Sequence, residues 1–135
     1  LEPCSADGPF VTWVGTAVIG GTTYGWADFP TGPLVEEGKF IFFEEYWTIF
    51  TLEPGQAPSV ALACDPSLVV LDGFNTGRGA PGGTASAEGT VAPADRDGPF
   101  ADVAEGSRMF WRGKVTNFKD AGDQFKATLH IHPAK

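Results

Sequence analysis

The sequence predicts an all-β fold, a single antiparallel β-barrel of about eight strands, from composition, hydrophobic alternation and turn chemistry. Its 135 residues include 18 Gly, 11 Pro, 11 Phe, 4 Trp and 2 Tyr, a mixture typical of short strands joined by tight turns. Apolar residues recur with a period of two, and no long stretch keeps a helical period. The length predicts one domain over residues 1–135. A two-layer β-sandwich is the alternative.

The first half of the chain contains the longest strand candidate. Residues 10–19 alternate between two faces, and Gly20-Gly21 separates them from a shorter strand over residues 22–29. Pro and Gly then predict a loop at residues 30–33. The stretch 39–52 is rich in aromatic and β-branched residues. A strand of this length favours the tilted geometry of a barrel over a sandwich.

The second half is predicted to hold shorter strands between glycine-rich turns. Residues 73–83 contain five glycines in eleven positions, which predicts a loop at the mouth of the barrel. The remaining elements are two short apolar runs at 59–64 and 68–71, a strand at 84–91, a turn-rich connection at 95–106, and a hairpin formed by 109–118 and 124–132.

The charge is acidic overall but unevenly distributed. The formal net charge of −8 argues against binding of nucleic acid, which needs clustered Lys and Arg. No apolar run approaches the roughly 20 residues of a membrane span. Residues 1–94 carry a net −9 and residues 95–135 a net +1. Arg108, Arg112 and Lys114 share one strand face, as an anion-binding stripe or as cross-strand partners of acidic residues.

The two cysteines indicate the cellular compartment in which we expect the protein. Cys4 and Cys64 form no CxxC pair and have no further ligand at metal spacing, so neither a metal nor a cofactor is predicted. We expect a disulfide between them that ties down an N-terminal arm at residues 1–9, with two buried thiols as the alternative. The chain starts without Met or an apolar leader, which predicts a mature or trimmed chain. We therefore expect a secreted or periplasmic protein.

Three short motifs have ordinary interpretations. Residues 77–82 match GxGxxG, but no helix is predicted to follow, as a dinucleotide site requires. His130 and His132 lie on one strand face, which predicts exposed histidines, with metal ligation as the alternative. The carboxylates at 95–102 predict a solvated turn, with calcium binding as the alternative.

The most informative pair is Glu44-Glu45, in the middle of the longest strand. Adjacent strand residues point to opposite sides, so one glutamate should face the interior. Burial among aromatic rings would raise the pKa of that carboxyl toward a range useful for acid–base catalysis. We name both as candidate catalytic residues. A structural polar link inside the barrel is the alternative, and the sequence does not decide which glutamate is inward.

Aromatic residues supply the candidate ligand site. The four tryptophans fall on different predicted strands, either as core residues or as the lining of a pocket. If Glu44 faces inward, its companions include Phe42 and Tyr46, whereas Glu45 would be accompanied by Phe43 and Trp47. The candidate ligand-binding residues are Phe42, Tyr46, Trp47, Trp13 and Trp111.

The later part of the chain resembles the small lipocalin-like and allene-oxide-cyclase-like β-barrels. The resemblance covers residues 35–132, and no functional residue can be carried over from it. It departs from lipocalins at the N-terminus, where Trp13 precedes Gly15 and no Gly-x-Trp motif occurs. It implies an interior pocket for a small, mostly apolar molecule. The segments that carry it are the strand 39–52, Gly89-Thr90-Val91, Gly98-Pro99-Phe100-Ala101, Gly106 and Trp111-Arg112-Gly113.

Three hypotheses for function follow. The first is a secreted barrel that binds a small hydrophobic or aromatic ligand in its interior. The second is a cyclase- or isomerase-type enzyme that uses a buried glutamate as acid or base. The third is a structural or adhesive subunit of an extracellular homo-oligomer. The sequence leaves open whether the protein is an enzyme.

Overall fold

The part of the chain that the structure describes contains eight strands and one short helix. A computed structural model describes residues 13–31, 35–80, 84–95, 97–114 and 124–132. The elements are β1 (Trp13–Ile19), β2 (Thr22–Pro30), β3 (Val35–Glu37), β4 (Phe40–Phe50), α1 (Val60–Ala63), β5 (Val69–Gly79), β6 (Thr84–Pro93), β7 (Ser107–Lys114) and β8 (Gln124–His132).

The predicted barrel is confirmed, and seven of the strands close it. The order around the barrel is β1, β2, β4, β5, β6, β7 and β8, which returns to β1, while β3 pairs only with β4 at the outside. Neighbouring strands are antiparallel except for β1 and β8, which are parallel. An up-and-down path through an odd number of strands leaves its first and last strands pointing the same way, so the closing pair must be parallel.

The longest predicted strand, 39–52, is observed as β4, and one of its edges pairs with two different strands. Its residues from Glu45 to Phe50 pair with β2 and close the barrel. Its residues from Phe40 to Phe42 pair with β3 instead. The chain leaves β2 at Thr31, whose backbone N–H donates to the carbonyl of Glu44 at 2.9 Å. Beyond Glu44, β3 therefore takes the place of β2 as the neighbour of β4, and it does not belong to the closed barrel.

The barrel interior is occupied by aromatic and aliphatic side chains. Trp26 lies between Trp47 and Trp111, at ring-centroid distances of 5.2 Å from each. Phe43 stacks on Trp111 at 6.0 Å. A second, smaller cluster lies on the outside, where α1 packs near β2 and β4. Its buried members are Ala27, Phe29, Phe50 and Ala63.

The loop predicted over residues 73–83 is wrong for residues 73–79, which belong to strand β5. Two glycines of β5 leave space that is filled by aromatic rings from β4. A Cβ atom on Gly73 would overlap the Trp47 indole, and one on Gly77 would lie 2.7 Å from the Phe43 ring. These glycines face the interior, and Thr76 and Arg78 face outward. Glycine here makes room for aromatic side chains rather than for a turn, so a simple glycine count misidentified the strand.

Candidate functional site

The two adjacent glutamates of β4 point to opposite faces of the barrel wall. Glu45 is 1% exposed and faces the interior. Glu44 is exposed, and one of its carboxylate oxygens accepts a hydrogen bond from the hydroxyl of Thr31 at 3.1 Å. The two candidate catalytic residues therefore occupy different environments and cannot act on one substrate together. Their catalytic assignment stays a prediction.

Asn75 of β5 organises the polar groups around Glu45. Its side-chain oxygen accepts the indole N–H of Trp47 at 2.6 Å and that of Trp111 at 2.9 Å. Its amide nitrogen donates to Glu45 Oε1 at 3.1 Å. The two indoles fix which end of the amide is the acceptor, and this leaves the NH₂ group for the carboxyl of Glu45. Asn75 is completely buried.

A second carboxyl group, that of Asp28 on β2, lies beside Glu45. Burial raises the pKa of Glu45 to about 8, against hydrogen bonds from Asn75 and Asp28 that lower it. Burial raises the pKa of Asp28 well above its usual value, and the charge of Glu45 raises it further. Two neighbouring carboxyl groups in a low-dielectric interior cannot both ionise at moderate cost. Near neutral pH, therefore, at least one proton resides on this pair, which we call the acid pair.

The acid pair can retain a proton near neutral pH, and aromatic residues surround it. Asp28 is 3% exposed, and a hydrogen bond from the Trp26 side chain lowers the pKa of its carboxyl, but burial and the charge of Glu45 outweigh that effect. The sequence reasoning predicted an inward glutamate but missed Asp28 and Asn75, because both lie on other strands and meet Glu45 only through the strand register.

An open pocket of about 780 Å³ lies on the outer face of the sheet, across β4, β5, β6 and β7. Its floor follows one register row: Phe43, Gly77, Ala87 and Trp111. Ala87 and Trp111 are 5% and 2% exposed, so their side chains belong to the core and their backbone forms the floor. The walls are the outward residues on either side of that row, Phe42, Glu44, Thr76, Arg78, Ser86, Glu88, Phe110 and Arg112, together with Thr31 and Val35.

The walls of this outer pocket separate positive from negative charge. On one side of the floor, Arg78, Ser86 and Arg112 are register neighbours on three successive strands. On the other side, Glu44, Thr76 and Glu88 are register neighbours. Phe42 and Phe110 stand at opposite ends of the pocket, 37% and 39% exposed. The pocket thus presents two aromatic rings, two cations, two carboxylates and several hydroxyl groups to solvent.

Within the described part of the sheet, the basic residues of β7 have no acidic residue as a cross-strand neighbour. The cross-strand neighbours of Arg112 are Ser86 and Thr128, and those of Lys114 are Thr84 and Lys126. Among the described residues, no carboxylate oxygen lies within 4.0 Å of a side-chain nitrogen of Arg78, Arg108 or Arg112. Of the two interpretations of the basic stripe on β7, cross-strand ion pairing is therefore not supported, since the described residues provide no acidic partner.

The predicted ligand-binding residues are distributed over both faces. Phe42 and Tyr46 point outward, and Tyr46 is 58% exposed and lies outside the pocket. The expectation that these two rings would line the interior is thus corrected, because inward Glu45 places its even-numbered neighbours outside. Trp47 and Trp111 are core residues. Trp13 begins β1, and its side chain lies outside the described set. Ligand binding by these residues stays a prediction.

Sequence reasoning missed Arg78 and Phe110 as pocket residues. Arg78 was assigned to a loop, and its guanidinium lies 5.2 Å from the centre of the Phe40 ring. Phe110 stacks on His130 at 4.8 Å and on His132 at 5.7 Å. The inward positions of β5 between Asp72 and Arg78 are glycines and Asn75, so this part of the strand has no apolar alternation that could have identified it.

The other motifs have local explanations or lie partly outside the described residues. Both histidines are exposed on β8 and stack on Phe110. Asp95 Oδ1 accepts the backbone N–H of Asp97 at 2.9 Å, which is an ordinary turn interaction. Among the described residues, no three His, Cys, Asp or Glu side chains form a group that could hold a metal. Cys4 lies outside the described residues, so the disulfide with Cys64 stays a prediction.

Comparison with known proteins gives no relative for this chain. No family model, curated protein or solved structure matches it. The lipocalin-like resemblance therefore holds at the level of a closed β-barrel. Among the described residues, none of the helices is both long enough and apolar enough to cross a membrane.

Proposed function

We propose that this protein binds a small molecule in the outer pocket, between Phe42 and Phe110. The observation that carries the proposal is the pocket itself, about 780 Å³ in volume, which is within the usual range for small-ligand sites. Two half-exposed aromatic rings at its ends offer flat apolar surfaces. The barrel interior holds three tryptophans, the acid pair and Asn75, so we place the ligand on the outer face rather than in the centre.

The rigidity of the pocket supports the same proposal. Its floor is the backbone of four paired strands, and its wall residues alternate with core residues on each strand. Side chains held on paired strands keep their spacing without a ligand, which reduces the entropy lost on binding. The acid–base enzyme and the oligomer subunit remain predictions.

The test uses phenylnaphthylamine, a neutral aromatic probe whose fluorescence rises in apolar surroundings. We expect saturable binding that Phe42→Ala and Phe110→Ala each weaken by about two- to tenfold, because each removes one stacking surface. Tyr46→Ala is the matched control, since Tyr46 is more exposed than either ring but does not line the pocket. An equal loss in all three variants, or no saturable binding, would reject the proposed site.

A further inference from the structure

The outer pocket carries two arginines that no carboxylate of the described residues neutralises. Arg78 on β5 and Arg112 on β7 flank Ser86 on β6 in one register row. Both arginines are exposed, and Ser86 is half-buried between them. Adjacent strands are about 4.8 Å apart, so the two arginine backbones are separated by about 10 Å across Ser86. The long side chains of Arg78 and Arg112 can therefore both reach one small ligand group that lies next to the Ser86 hydroxyl.

The surroundings of Arg78 favour a defined position for its guanidinium. The group lies 5.2 Å from the centre of the Phe40 ring, a distance at which the face of an aromatic ring attracts a cation. The cross-strand neighbours of Arg78 are Phe42 and Ser86, which carry no charge. Its capacity for charge-assisted hydrogen bonds therefore remains available to a ligand.

The two glutamates of the pocket determine where an anion can sit. Glu44 and Glu88 belong to the register row on the far side of the floor, with Thr76 between them. That row lies two residues along each strand from the arginine row, a separation of about 7 Å. A negative group next to the carboxylates would be repelled. The same carboxylates would accept hydrogen bonds from a hydroxyl or amino group.

We infer that the ligand of the outer pocket is an organic anion whose carboxylate, sulfonate or phosphate group binds between Arg78 and Arg112, beside the Ser86 hydroxyl. Its flat apolar part lies against Phe42 or Phe110, and a hydrogen-bond donor about 7 Å from the anionic group reaches Glu44 or Glu88. This inference rests on the proposed function and adds to it the charge and the orientation of the ligand.

The experiment compares two probes of nearly the same shape. Anilinonaphthalene sulfonate is phenylnaphthylamine with one sulfonate group added, so the difference between their dissociation constants isolates the contribution of the anion. We expect Arg78→Gln and Arg112→Gln each to weaken binding of the sulfonate probe about tenfold or more. Binding of the neutral probe should change by less than about twofold. Added salt should weaken only the sulfonate probe.

Arg108→Gln is the matched control. Arg108 is exposed on the same strand face as Arg112 but does not line the pocket, so its loss should leave both probes unchanged. Thermal unfolding of each variant shows that it is folded. If both probes bind and the Arg78 and Arg112 variants do not distinguish them, or if Arg108→Gln causes an equal loss, the anion inference is wrong and the pocket proposal stands. If neither probe binds, the pocket proposal itself fails.

Discussion

Two neighbouring glutamates of strand β4 lie in opposite environments, one buried on the inner face and one exposed on the outer face. On the inner face, Glu45 is enclosed by Asn75 and Asp28, and burial raises the pKa of its carboxyl to about 8. On the outer face, Glu44 meets solvent and a threonine hydroxyl. Inside the barrel, protonation and amide hydrogen bonds stabilise the carboxyl groups, because burial removes their side chains from bulk solvent. Outside, charged groups stay accessible, and Arg78 and Arg112 remain free of ion pairs among the described residues.

The acidic residues of this chain therefore form two groups, buried and exposed, that contribute differently to its stability and its binding. The buried acid pair costs solvation energy and needs its hydrogen-bond network to be tolerated. The charges of the outer pocket cost little in the folded protein and can be used for recognition. The interior should therefore respond strongly to mutation and pH in its stability, whereas the outer pocket should respond in binding.

The largest expected effect is that of Asn75→Leu. The substitution removes the acceptor shared by the Trp47 and Trp111 indoles and the donor to Glu45. Lost hydrogen bonds at buried polar groups cost about 1–3 kcal/mol each, so we expect the free energy of unfolding to fall by about 3–5 kcal/mol. Urea denaturation measures it.

Thr76→Val is the control for Asn75→Leu. Thr76 is the next residue on β5 and is exposed on the outer face, where substitutions usually change stability by less than about 0.5 kcal/mol. A loss of similar size in both variants would show that β5 is sensitive as a whole and that the hydrogen-bond network has no special weight.

An intermediate effect is expected from pH. The unfolded chain releases the Glu45 proton near the ordinary value of 4.5, whereas the folded barrel holds it until about pH 8. The folded state binds more protons between these values, so the free energy of unfolding should fall as pH rises through this window, by roughly 1 kcal/mol per pH unit for each retained proton. Denaturation in urea at pH 5, 6, 7 and 8 measures the slope.

Two variants identify the source of that slope. Glu45→Gln removes one titrating group and keeps an acceptor for Asn75, so the pH dependence should become shallower by about one proton. Glu44→Gln changes the exposed neighbour and should keep the wild-type slope. If Glu45→Gln retains the full slope, the proton that leaves in this window belongs to another group.

The smallest effect on stability is expected for the two arginines of the outer pocket. Arg78→Gln and Arg112→Gln should each change the free energy of unfolding by less than about 0.5 kcal/mol at pH 7, because neither arginine forms an ion pair with another described residue. The same urea titration measures this. Losses above about 1 kcal/mol would mean that these arginines hold the sheet together, and the contrast between the two faces would disappear.

Much of the fold was predictable from alternation, and the exception has a clear cause. The final strand shows apolar side chains at every second position, and the long strand is rich in aromatic and β-branched residues; both are observed, as is the predicted strand after residue 83. Strand β5 was not recognised, because Gly73, Gly77 and Gly79 occupy its inner face. There the apolar surface is supplied by rings from β4 that pack over the glycines, so the hydrophobic signal of β5 lies in the sequence of another strand.

The candidate sites were predictable only in part. Alternation predicts that either Glu44 or Glu45 faces inward, and it leaves open which of the two does so. Asn75, the partner of Glu45, is 30 residues away from it in the chain, and Trp111 is a further 36 residues on. The arginines of the outer pocket come from two strands with a third between them. Such combinations depend on strand order and register, which local patterns do not specify.

The sequence by itself determined an all-β chain, the position of its longest strand and the burial of one glutamate, since these follow from residue type and a period of two. Only the tertiary structure decided that Glu45 is the buried one, that Asp28 and Asn75 surround it, and that Arg78 and Arg112 face one pocket. The physical reason is that local alternation assigns a side chain to one of two faces. Its neighbours on other strands are fixed by the register and closure of the whole barrel.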